Sequence, residues 1–396
     1  MAAFTPMTPE NGGMNMGRAV WLDQLTDGER ALLGRGAGTI PEPRPDILIV
    51  GGGIAGVATA AACYRAGLGS VLLIEAGQLG SGATGGAAGL LTPEIHEWSD
   101  PEPFVDLARD SLERWKQLEQ AWPGGVGLVS LDWIGLVPDP GGFALHQAPA
   151  VEWLDREQLQ QFVPGLALPM AGALIRNQAR VNPLRSIARL IAELPGVATG
   201  VAAVSAVIRG NRLITVGTSA GDIHPGVVVF ATGRPPILDG LPLDLPFDVV
   251  KGHLLVTEPA PVRLPGTVAP IATQLEDGRL LAGGTFDTGD ESPAVQPEVI
   301  ESIVTGLYAA LPALRGVRVT HQWCCFRPRH PDGRPIIDRI AGLDNAWLTS
   351  GHFRTGILMA PITAAALTRW ISANEPPAEA AAWSSTRFTD RTLRSH

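Results

Sequence analysis

The chain is poor in the features that mark secreted and membrane proteins. Only three of its 396 residues are cysteines, and two of these are adjacent, which excludes a disulfide framework and favours a reducing cytoplasm. No apolar run approaches the roughly 20 residues of a membrane-spanning helix. The N-terminus lacks the charged-then-apolar pattern of a signal peptide. We therefore expect a cytoplasmic protein without a membrane span.

Positive charge and lysine are also scarce. The formal net charge is −9 and the only lysines are Lys116 and Lys251, so nearly all basic residues are arginines. This balance gives no reason to expect nucleic acid binding. An apolar content of 45% with 17% charged residues is typical of a soluble globular enzyme. The length suffices for about two domains.

A glycine-rich stretch at 46–56 (DILIVGGGIAG) carries the strongest local signal. Its apolar first half predicts a buried parallel strand, and the small apolar residues after it predict a helix. Gly51 permits the tight turn, Gly53 lets a pyrophosphate touch the backbone, and Gly56 lets the helix lie close to the sheet. The helix N-terminus offers N–H groups to the phosphates. The pattern predicts a dinucleotide site.

Glu75 strengthens this prediction, because it ends the next predicted strand, 71–75 (VLLIE), about 20 residues further on. A carboxylate there binds ribose hydroxyls and repels a 2′-phosphate, which argues against NADP. The alternative, a glycine-rich turn in an ordinary βαβ unit, is disfavoured by Glu75. The fingerprint alone does not separate NAD from FAD.

Two further segments flank the fingerprint. Thr26 and Glu29 match a capping box, which predicts a short helix that we interpret as packed on the outside of the fold rather than as a regulatory arm. The glycine-rich run 77–91, with hydroxyls at Ser81 and Thr84, follows the ribose acid directly. We expect it to contact the cofactor, because glycines let backbone approach a ligand closely.

Apolar periodicity predicts the remaining elements. Helices are predicted at 26–33, 104–122, 155–162, 183–193, 297–314 and 357–372, and strands at 128–136, 143–151, 201–207, 212–218, 227–231, 249–259, 278–287 and 346–350. The strand at 227–231 is followed by Thr-Gly, a strand-then-glycine ending like that of the fingerprint strand. This indicates that the cofactor domain resumes here, so the second domain is inserted into the cofactor domain. The stretch 324–338 is polar and predicts turns.

Four stretches in order resemble the D-amino-acid oxidase family of flavoproteins, in its glycine oxidase and monomeric sarcosine oxidase branch. They are DILIVGGGIAG with Glu75, GSGATGGAAGL, VVVFATG, and CFRPRHPDGRPIID followed by GHFRTGILMAP. The resemblance spans about 45–390. Its last stretch is the most specific and indicates FAD rather than NAD.

The resemblance implies an α/β fold, in which a Rossmann-type FAD-binding domain, a parallel sheet with helices, joins an α+β substrate domain built on a mixed sheet. The implied boundaries are an N-terminal extension at 1–44, an FAD-binding domain at 45–94, 178–249 and 321–383, a substrate domain at 95–177 and 250–320, and a tail at 384–396.

The same resemblance implies roles for individual residues in holding FAD. The pyrophosphate would be held by Gly51, Gly53 and Gly56, and the ribose by Glu75. The flavin and diphosphate would be lined by Ala83, Thr84 and Gly89, and the adenine would be met by the backbone of Val204. The flavin N1/C2 carbonyl would be offered N–H groups by Gly356, Ile357 and Leu358. No metal site is predicted.

Cys325 has two interpretations. Monomeric sarcosine oxidase has a cysteine at this spacing that is thioether-linked to the flavin 8α-methyl group, and we expect Arg327 and Arg329 to lower the thiol pKa. The alternative is a small buried thiol, like Cys324.

Arg327 and Arg354 are the substrate candidates, expected on two loops that meet at one cofactor. A guanidinium fork binds a carboxylate through two parallel hydrogen bonds; the alternative is a pair of surface arginines in salt bridges. His352 is interpreted as a hydrogen-bonded loop histidine rather than a base.

Three positions depart from the family pattern. Family oxidases often place a tyrosine on the substrate carboxylate, but Tyr64 and Tyr308 fall in predicted helices and the matching region offers Ile271. Leu281 stands on the strand where sarcosine oxidase has a lysine that speeds reaction with oxygen. Phe286 near the ring favours an apolar or bulkier substrate, unless it belongs to the core.

Together these features predict FAD-dependent oxidation of an amino acid or related amine to an imine, by hydride transfer to flavin N5 with O2 as acceptor. Two alternatives stay open. One is a dehydrogenase component that passes electrons to a partner or quinone; the other is a biosynthetic tailoring oxidase acting on a cyclic or carrier-bound amine. D/L preference and homo-oligomer formation are also left open.

Overall fold

The computed structural model describes residues 17–98, 102–138, 151–378 and 382–388. Its helices are α1 (Asp27–Leu32), α2 (Ile54–Arg65), α3 (Ala83–Gly86), α4 (Glu102–Ala121), α5 (Arg156–Phe162), α6 (Pro183–Ile191), α7 (Pro297–Ala310) and α8 (Ala360–Ala373). Its strands are β1 (Ile47–Val50), β2 (Val71–Glu75), β3 (Leu90–Leu91), β4 (Leu128–Val137), β5 (Val151–Leu154), β6 (Ala171–Val181), β7 (Gly196–Thr199), β8 (Ala203–Arg209), β9 (Arg212–Thr218), β10 (Gly221–Ile223), β11 (Val227–Gly233), β12 (Asp248–Pro259), β13 (Gly266–Ala269), β14 (Ala272–Gln274), β15 (Arg279–Gly283), β16 (Asp287–Thr288), β17 (Val319–Arg329), β18 (Ile336–Arg339) and β19 (Ala346–Ser350).

A six-stranded sheet carries the glycine fingerprint, in the order β18-β19-β11-β1-β2-β7. Its strands are parallel except for β18, which runs antiparallel to β19. All four residues of β1 are buried, as expected of a parallel strand covered on both faces. Strand β11 pairs with β1, Ile47 opposite Val227, so the predicted strand at 227–231 lies beside the fingerprint.

A ten-stranded mixed sheet forms the second layer, with β12, β15, β14, β13, β4 and β6 along its centre. Most pairs are antiparallel, but β13 runs parallel to β4. One face packs on α5 and α7 through apolar side chains such as Leu159, Leu280 and Leu307. The other contributes Leu254 and Leu281 to the large core that α2 and α6 also enter. The predicted α/β fold class, with a parallel and a mixed sheet, is confirmed.

The prediction of turns over 324–338 is confirmed at 330–333, where Gly333 N donates to the carbonyl oxygen of His330 at 2.8 Å, but it is wrong for 324–329 and 336–338. Val319–Arg329 forms β17, which pairs with β12 from Asp248 opposite Arg329 to Thr257 opposite Val319. Strand preference depends on the partner more than on local composition, and here β12 supplies a long apolar partner. Strand β17, assigned to the FAD-binding part of the chain, thus pairs with the ten-stranded sheet.

Other differences concern ends of elements. Helix α7 stops at Ala310, before a 3₁₀ turn at Pro312–Leu314, because proline interrupts the helical hydrogen bonds. Helix α8 begins at Ala360 rather than 357. Strand β6 was not predicted, and most of the strand predicted at 143–151 lies outside the described residues. No helix in the described ranges has the length and hydropathy needed to cross a bilayer.

The segment before β1 is partly buried. The capping box is present: Thr26 Oγ1 accepts from Glu29 N at 3.2 Å, and Glu29 Oε2 accepts from Thr26 N at 3.0 Å. Just before it, in the 3₁₀ turn Val20–Gln24, Val20 and Trp21 are fully buried in the large core. The predicted helix α1 is thus present, and the 3₁₀ turn before it anchors it in the core.

Candidate cofactor and substrate site

Backbone crowding explains two of the three fingerprint glycines. Gly51 has a φ of +118°, and a Cβ there would lie 2.4 Å from the carbonyl oxygen of Ala231. A Cβ at Gly56 would lie 2.0 Å from the carbonyl oxygen of Gly51 and 3.2 Å from Ala231 Cβ. These glycines let α2 begin directly at the carboxyl ends of β1 and β11.

Gly53 differs, because the protein itself leaves room around it. A Cβ there would meet a single described neighbour, Thr84 Oγ1, at 3.4 Å. Gly53 is the N-cap of α2 and no side chain caps the helix at that residue. Open space beside a helix N-terminus fits the pyrophosphate of a dinucleotide. The fingerprint residues present therefore fit FAD.

Glu75 holds the turn from the neighbouring strand. Its Oε2 accepts from Gly52 N at 2.7 Å and its Oε1 from Gly77 N at 2.8 Å. A carboxylate has about four acceptor positions, so two remain for ribose hydroxyls. Glu75 thus has capacity for the ribose role while it fixes the turn.

Residues 83–89, the cofactor segment, dock on the fingerprint. Thr84 Oγ1 accepts from Ile54 N, the first residue of α2, at 3.1 Å. Ala83 begins the short helix α3 beside it. At the other end, Gly89 has a φ of +75°, and a Cβ there would lie 2.2 Å from the carbonyl oxygen of Val181 in β6. The segment therefore contacts the N-terminus of α2, the turn at which the sequence predicts the pyrophosphate.

One face of β17 meets the cofactor segment. Trp323, Cys325 and Arg327 share this face because side chains alternate along a strand. Trp323 Nε1 donates to the carbonyl oxygen of Gly86 at 2.9 Å, and Cys325 Sγ donates to the same oxygen at 3.3 Å. A Cβ at Gly86 would lie 2.3 Å from Cys325 Cβ. Arg327 is the next residue along this row.

Arg327 lies on this strand rather than on the predicted loop. Its Nη1 donates to the carbonyl oxygen of Thr285 at 2.7 Å, and its guanidinium carbon lies 4.7 Å from the ring centroid of Phe286. Burial lowers the pKa of Arg327 from its ordinary value. Among the described residues, no carboxylate forms a salt bridge with it. Arg327 is thus a half-buried cation that donates hydrogen bonds to the backbone carbonyls of Thr285 and Lys251.

The GHFRTG stretch brings Arg354 to this place. Gly351 N donates to the carbonyl oxygen of Gly233 at 2.8 Å, and Phe353 N donates to that of Pro328 at 2.8 Å. The stretch therefore bridges the ends of β11 and β17. Arg354 is exposed, and its charge contributes to the lowered pKa of Arg327. The two arginines lie near one another.

Residues 356–358 are oriented by α4. Trp115 Nε1 donates to the carbonyl oxygen of Ile357 at 3.0 Å, and Ser111 Oγ donates to that of Leu358 at 2.6 Å. A trans peptide points its C=O and N–H in opposite directions. The N–H of Leu358 therefore points away from α4, as a role toward the flavin requires. Gly356 and Ile357 lie in the turns before α8.

The expected low pKa of Cys325 is wrong. Burial raises the pKa of this thiol to about 11, and the opposing charge of Arg327 is too weak to reverse the shift. Arg329 is engaged elsewhere, since its Nε donates to Asp248 Oδ1 at 2.9 Å. Cys325 is therefore a protonated, buried thiol at neutral pH.

His352 is a hydrogen-bonded loop histidine, as predicted. Its Nε2 lies 2.8 Å from Thr349 Oγ1. Burial lowers the pKa of His352 to about 4, so the ring is neutral at pH 7. Its low exposure leaves it unsuited to act as a base for substrate.

A polar cluster behind Arg327 was missed from the sequence. Lys251 is fully buried, and its Nζ donates to Asp290 Oδ2 at 2.8 Å and to the carbonyl oxygen of Ala294 at 2.7 Å. The buried His253 has its Nδ1 2.8 Å from Asp287 Oδ2. These contacts fix the loop that carries Phe286. The available signal was a lysine inside the apolar run VVKGHLLV.

The remaining predicted positions are placed as follows. Val204 is 51% exposed, whereas the N–H of Val201 reaches the end of β2, donating to the carbonyl oxygen of Glu75 at 2.9 Å. Ile271 packs in the core between the ten-stranded sheet and α7. It therefore does not replace a tyrosine hydroxyl beside Arg327. Phe286 is 55% exposed and is not a core residue.

Comparison with known proteins supports FAD as the cofactor. A family model described as FAD dependent oxidoreductase matches residues 46–370. The chain is 29% identical to a glycine oxidase of Pseudomonas aeruginosa over 359 residues, which cover 83% of this chain and 95% of that protein. It is 31% identical to the hydrogen cyanide synthase subunit HcnC of the same organism over 261 residues, 61% of each chain. The crystal structure of glycine oxidase from Geobacillus kaustophilus has a TM-score of 0.75 and 25% identity, with 87% of this chain and 99% of that chain covered.

Two alanine substitutions should distinguish the glycine that leaves room for the cofactor from the glycine that is needed for backbone packing. Gly53→Ala should leave the melting temperature of the apoprotein nearly unchanged, because its Cβ has room, but should abolish or strongly weaken FAD binding. Gly56→Ala should lower the melting temperature of the apoprotein, since backbone must move. Differential scanning fluorimetry and FAD titration measure both. Equal FAD affinity in wild type and Gly53→Ala would contradict the assignment.

We expect the flavin to be bound without a covalent bond to Cys325. The protonated thiol is a poor nucleophile, because the thiolate is the reactive form. Acid precipitation of the holoenzyme should give a colourless pellet and free FAD in the supernatant. A yellow pellet with flavin mass on a peptide, lost in Cys325→Ser but kept in the control Cys324→Ser, would overturn this expectation.

Proposed function

Because the chain belongs to the FAD-dependent oxidoreductase family, we propose that it oxidises the C–N bond of an amino acid or related amine to an imine. When bound, FAD would supply an electron-accepting ring for the hydride that the substrate loses from its α-carbon. The glycine oxidase relatives support an amine as the substrate. The imine then hydrolyses in water.

The observation that carries the proposal is the position of Arg327. It follows Cys325 on the face of β17 that meets the cofactor segment, and it has no carboxylate partner in the described chain. A guanidinium fork there fits the carboxylate of an amino acid, which it would bind next to the flavin. Arg354 is exposed and close enough for its charge to affect Arg327, so it offers a second positive charge.

The protein's own contribution to the reaction is to orient the substrate. Arg327 is fixed by the carbonyl oxygens of Thr285 and Lys251, so its fork is preorganised before substrate binds. Holding the substrate at one end limits the positions that its α-carbon can take over the flavin. The N–H of Leu358 points away from α4, where it would stabilise negative charge on the reduced ring. No acid or base at the α-carbon is required.

Phe286 indicates the substrate class. Its ring lies 4.7 Å from the guanidinium carbon of Arg327, and its centroid lies 6.1 Å from that of the Phe353 ring. The exposed ring of Phe286 beside the carboxylate site favours an amino acid with an apolar side chain over glycine. We propose such an amino acid as substrate and O2 as the electron acceptor.

Anaerobic reduction of the flavin tests the reaction. D-, L- and N-methyl amino acids and cyclic amines should be mixed with the holoenzyme and the loss of flavin absorbance followed. Apolar amino acids should reduce the flavin faster than glycine does. Reduction by no amine of the panel would refute the proposal. Peroxide release on aerobic turnover supports O2 as the acceptor, and reduction of a dye alone would instead favour a partner protein or quinone.

Replacing Arg327 tests the carboxylate site. Arg327→Lys keeps the charge but removes the fork, so KM for the best carboxylate substrate should rise by roughly 10- to 100-fold, about 1.5–3 kcal/mol for a charged hydrogen bond. FAD affinity should stay unchanged. Arg318→Lys is the control, because Arg318 is an exposed arginine paired with Glu258. Unchanged kinetics in Arg327→Lys would refute the role.

A further inference from the structure

A segment outside the family match is built into the FAD site. The family model begins at residue 46, yet residues 17–33, the N-terminal strap, contribute to the same core as α2. Val20 and Trp21 are completely buried, and Leu25 and Leu33 are 5% and 3% exposed. A segment that merely covered the surface would not be buried to this degree.

Trp21 contacts the cofactor segment directly. Its indole Nε1 donates to the carbonyl oxygen of Ala87 at 2.8 Å. The preceding carbonyl, that of Gly86, accepts from the indole of Trp323 on β17 at 2.9 Å. Two consecutive carbonyls of the segment are thus held by two tryptophans, one from the strap and one from the family domain.

The strap is itself anchored to the elements around the site. Asn182, the N-cap of α6, donates through Nδ2 to the carbonyl oxygen of Trp21 at 3.0 Å. Asp23 Oδ2 lies 2.7 Å from His321 Nε2 on β17. Glu29 Oε1 accepts from Arg189 Nε in α6 at 2.8 Å. The position of Trp21 is therefore fixed from both sides of the segment that it holds.

The composition of the held segment makes such support necessary. Residues 83–89 contain three glycines, and glycine loses more backbone entropy on ordering than any other residue. If the segment were not held, FAD binding would have to order it, and the affinity would fall accordingly.

We propose that the N-terminal strap positions the cofactor segment for FAD, and that Trp21 is the positioning residue through which it acts. The strap holds residues 83–89 in the conformation that FAD requires before the cofactor arrives. This inference rests on FAD binding by the family domain and not on the identity of the amine substrate.

Trp21→Phe tests the proposal, because it keeps an aromatic ring and removes the N–H donor. The dissociation constant of FAD, measured by titration of the apoprotein, should rise roughly 5- to 10-fold, as expected for one lost hydrogen bond of about 1 kcal/mol. Trp122→Phe is the matched control. Trp122 Nε1 also donates to a carbonyl oxygen, that of Arg189, at 2.9 Å, and its ring lies under Arg65, the last residue of α2.

Both variants should lose similar thermal stability as apoproteins, so FAD affinity separates positioning from general stability. Trp122→Phe should leave the dissociation constant within about twofold of wild type, a difference of less than 0.5 kcal/mol. Equal dissociation constants in the two variants would overturn the proposal. Failure of wild type to bind FAD at all would instead contradict the family assignment.

Amide hydrogen exchange of the wild-type chain is a second test that needs no variant. Coupling between two sites is reciprocal, so FAD binding must in turn stabilise the strap if the strap favours FAD binding. Exchange in residues 20–33 should slow when FAD is added to the apoprotein, together with exchange in 83–89. Exchange at the end of α4, before Trp122, should change little. Slowing in 83–89 without any change in 20–33 would refute the proposal.

Discussion

The site depends on how closely the backbone of α2 approaches β1 and β11. Gly51 and Gly56 allow carbonyl contacts that any Cβ would block, so the helix begins at the carboxyl edge of the sheet. The cofactor segment docks on that helix start through Thr84, and β17 docks on the segment through Trp323 and Cys325. Arg327 lies at the end of this series of contacts, which fixes its position. Without the glycine contact, neither the open space beside Gly53 nor Arg327 would be in position.

The buried polar cluster behind Arg327 also helps to position this side chain. Lys251 is a completely buried cation, which is tolerated because Asp290 and a backbone carbonyl accept hydrogen bonds from its ammonium group. That pair fixes the loop whose Thr285 carbonyl accepts from Arg327. By fixing this loop, the buried pair keeps Phe286 and the guanidinium fork in one arrangement before any substrate binds.

Local signals in the sequence predicted the parts of the site that form locally. Residues only a few positions away determine each of these parts: the fingerprint strand, its helix, the acidic end of β2 and the capping box at Thr26. The burial of Trp21, the strand β17 and the raised pKa of Cys325 depend on distant partners. Trp21 bonds to Ala87, β17 needs β12, and the thiol pKa follows from packing against Gly86. No pattern within one segment reveals such pairings.

The central claim is that a carboxylate binds at Arg327 beside the flavin. Titration of the oxidised holoenzyme with phenylacetate, a carboxylate without an oxidisable amine, tests it most directly. The flavin absorption spectrum should shift saturably with phenylacetate but not with phenylacetamide, and Arg327→Met should lose the shift while it keeps FAD. An equal response to acid and amide, or a full response in Arg327→Met, would contradict the claim.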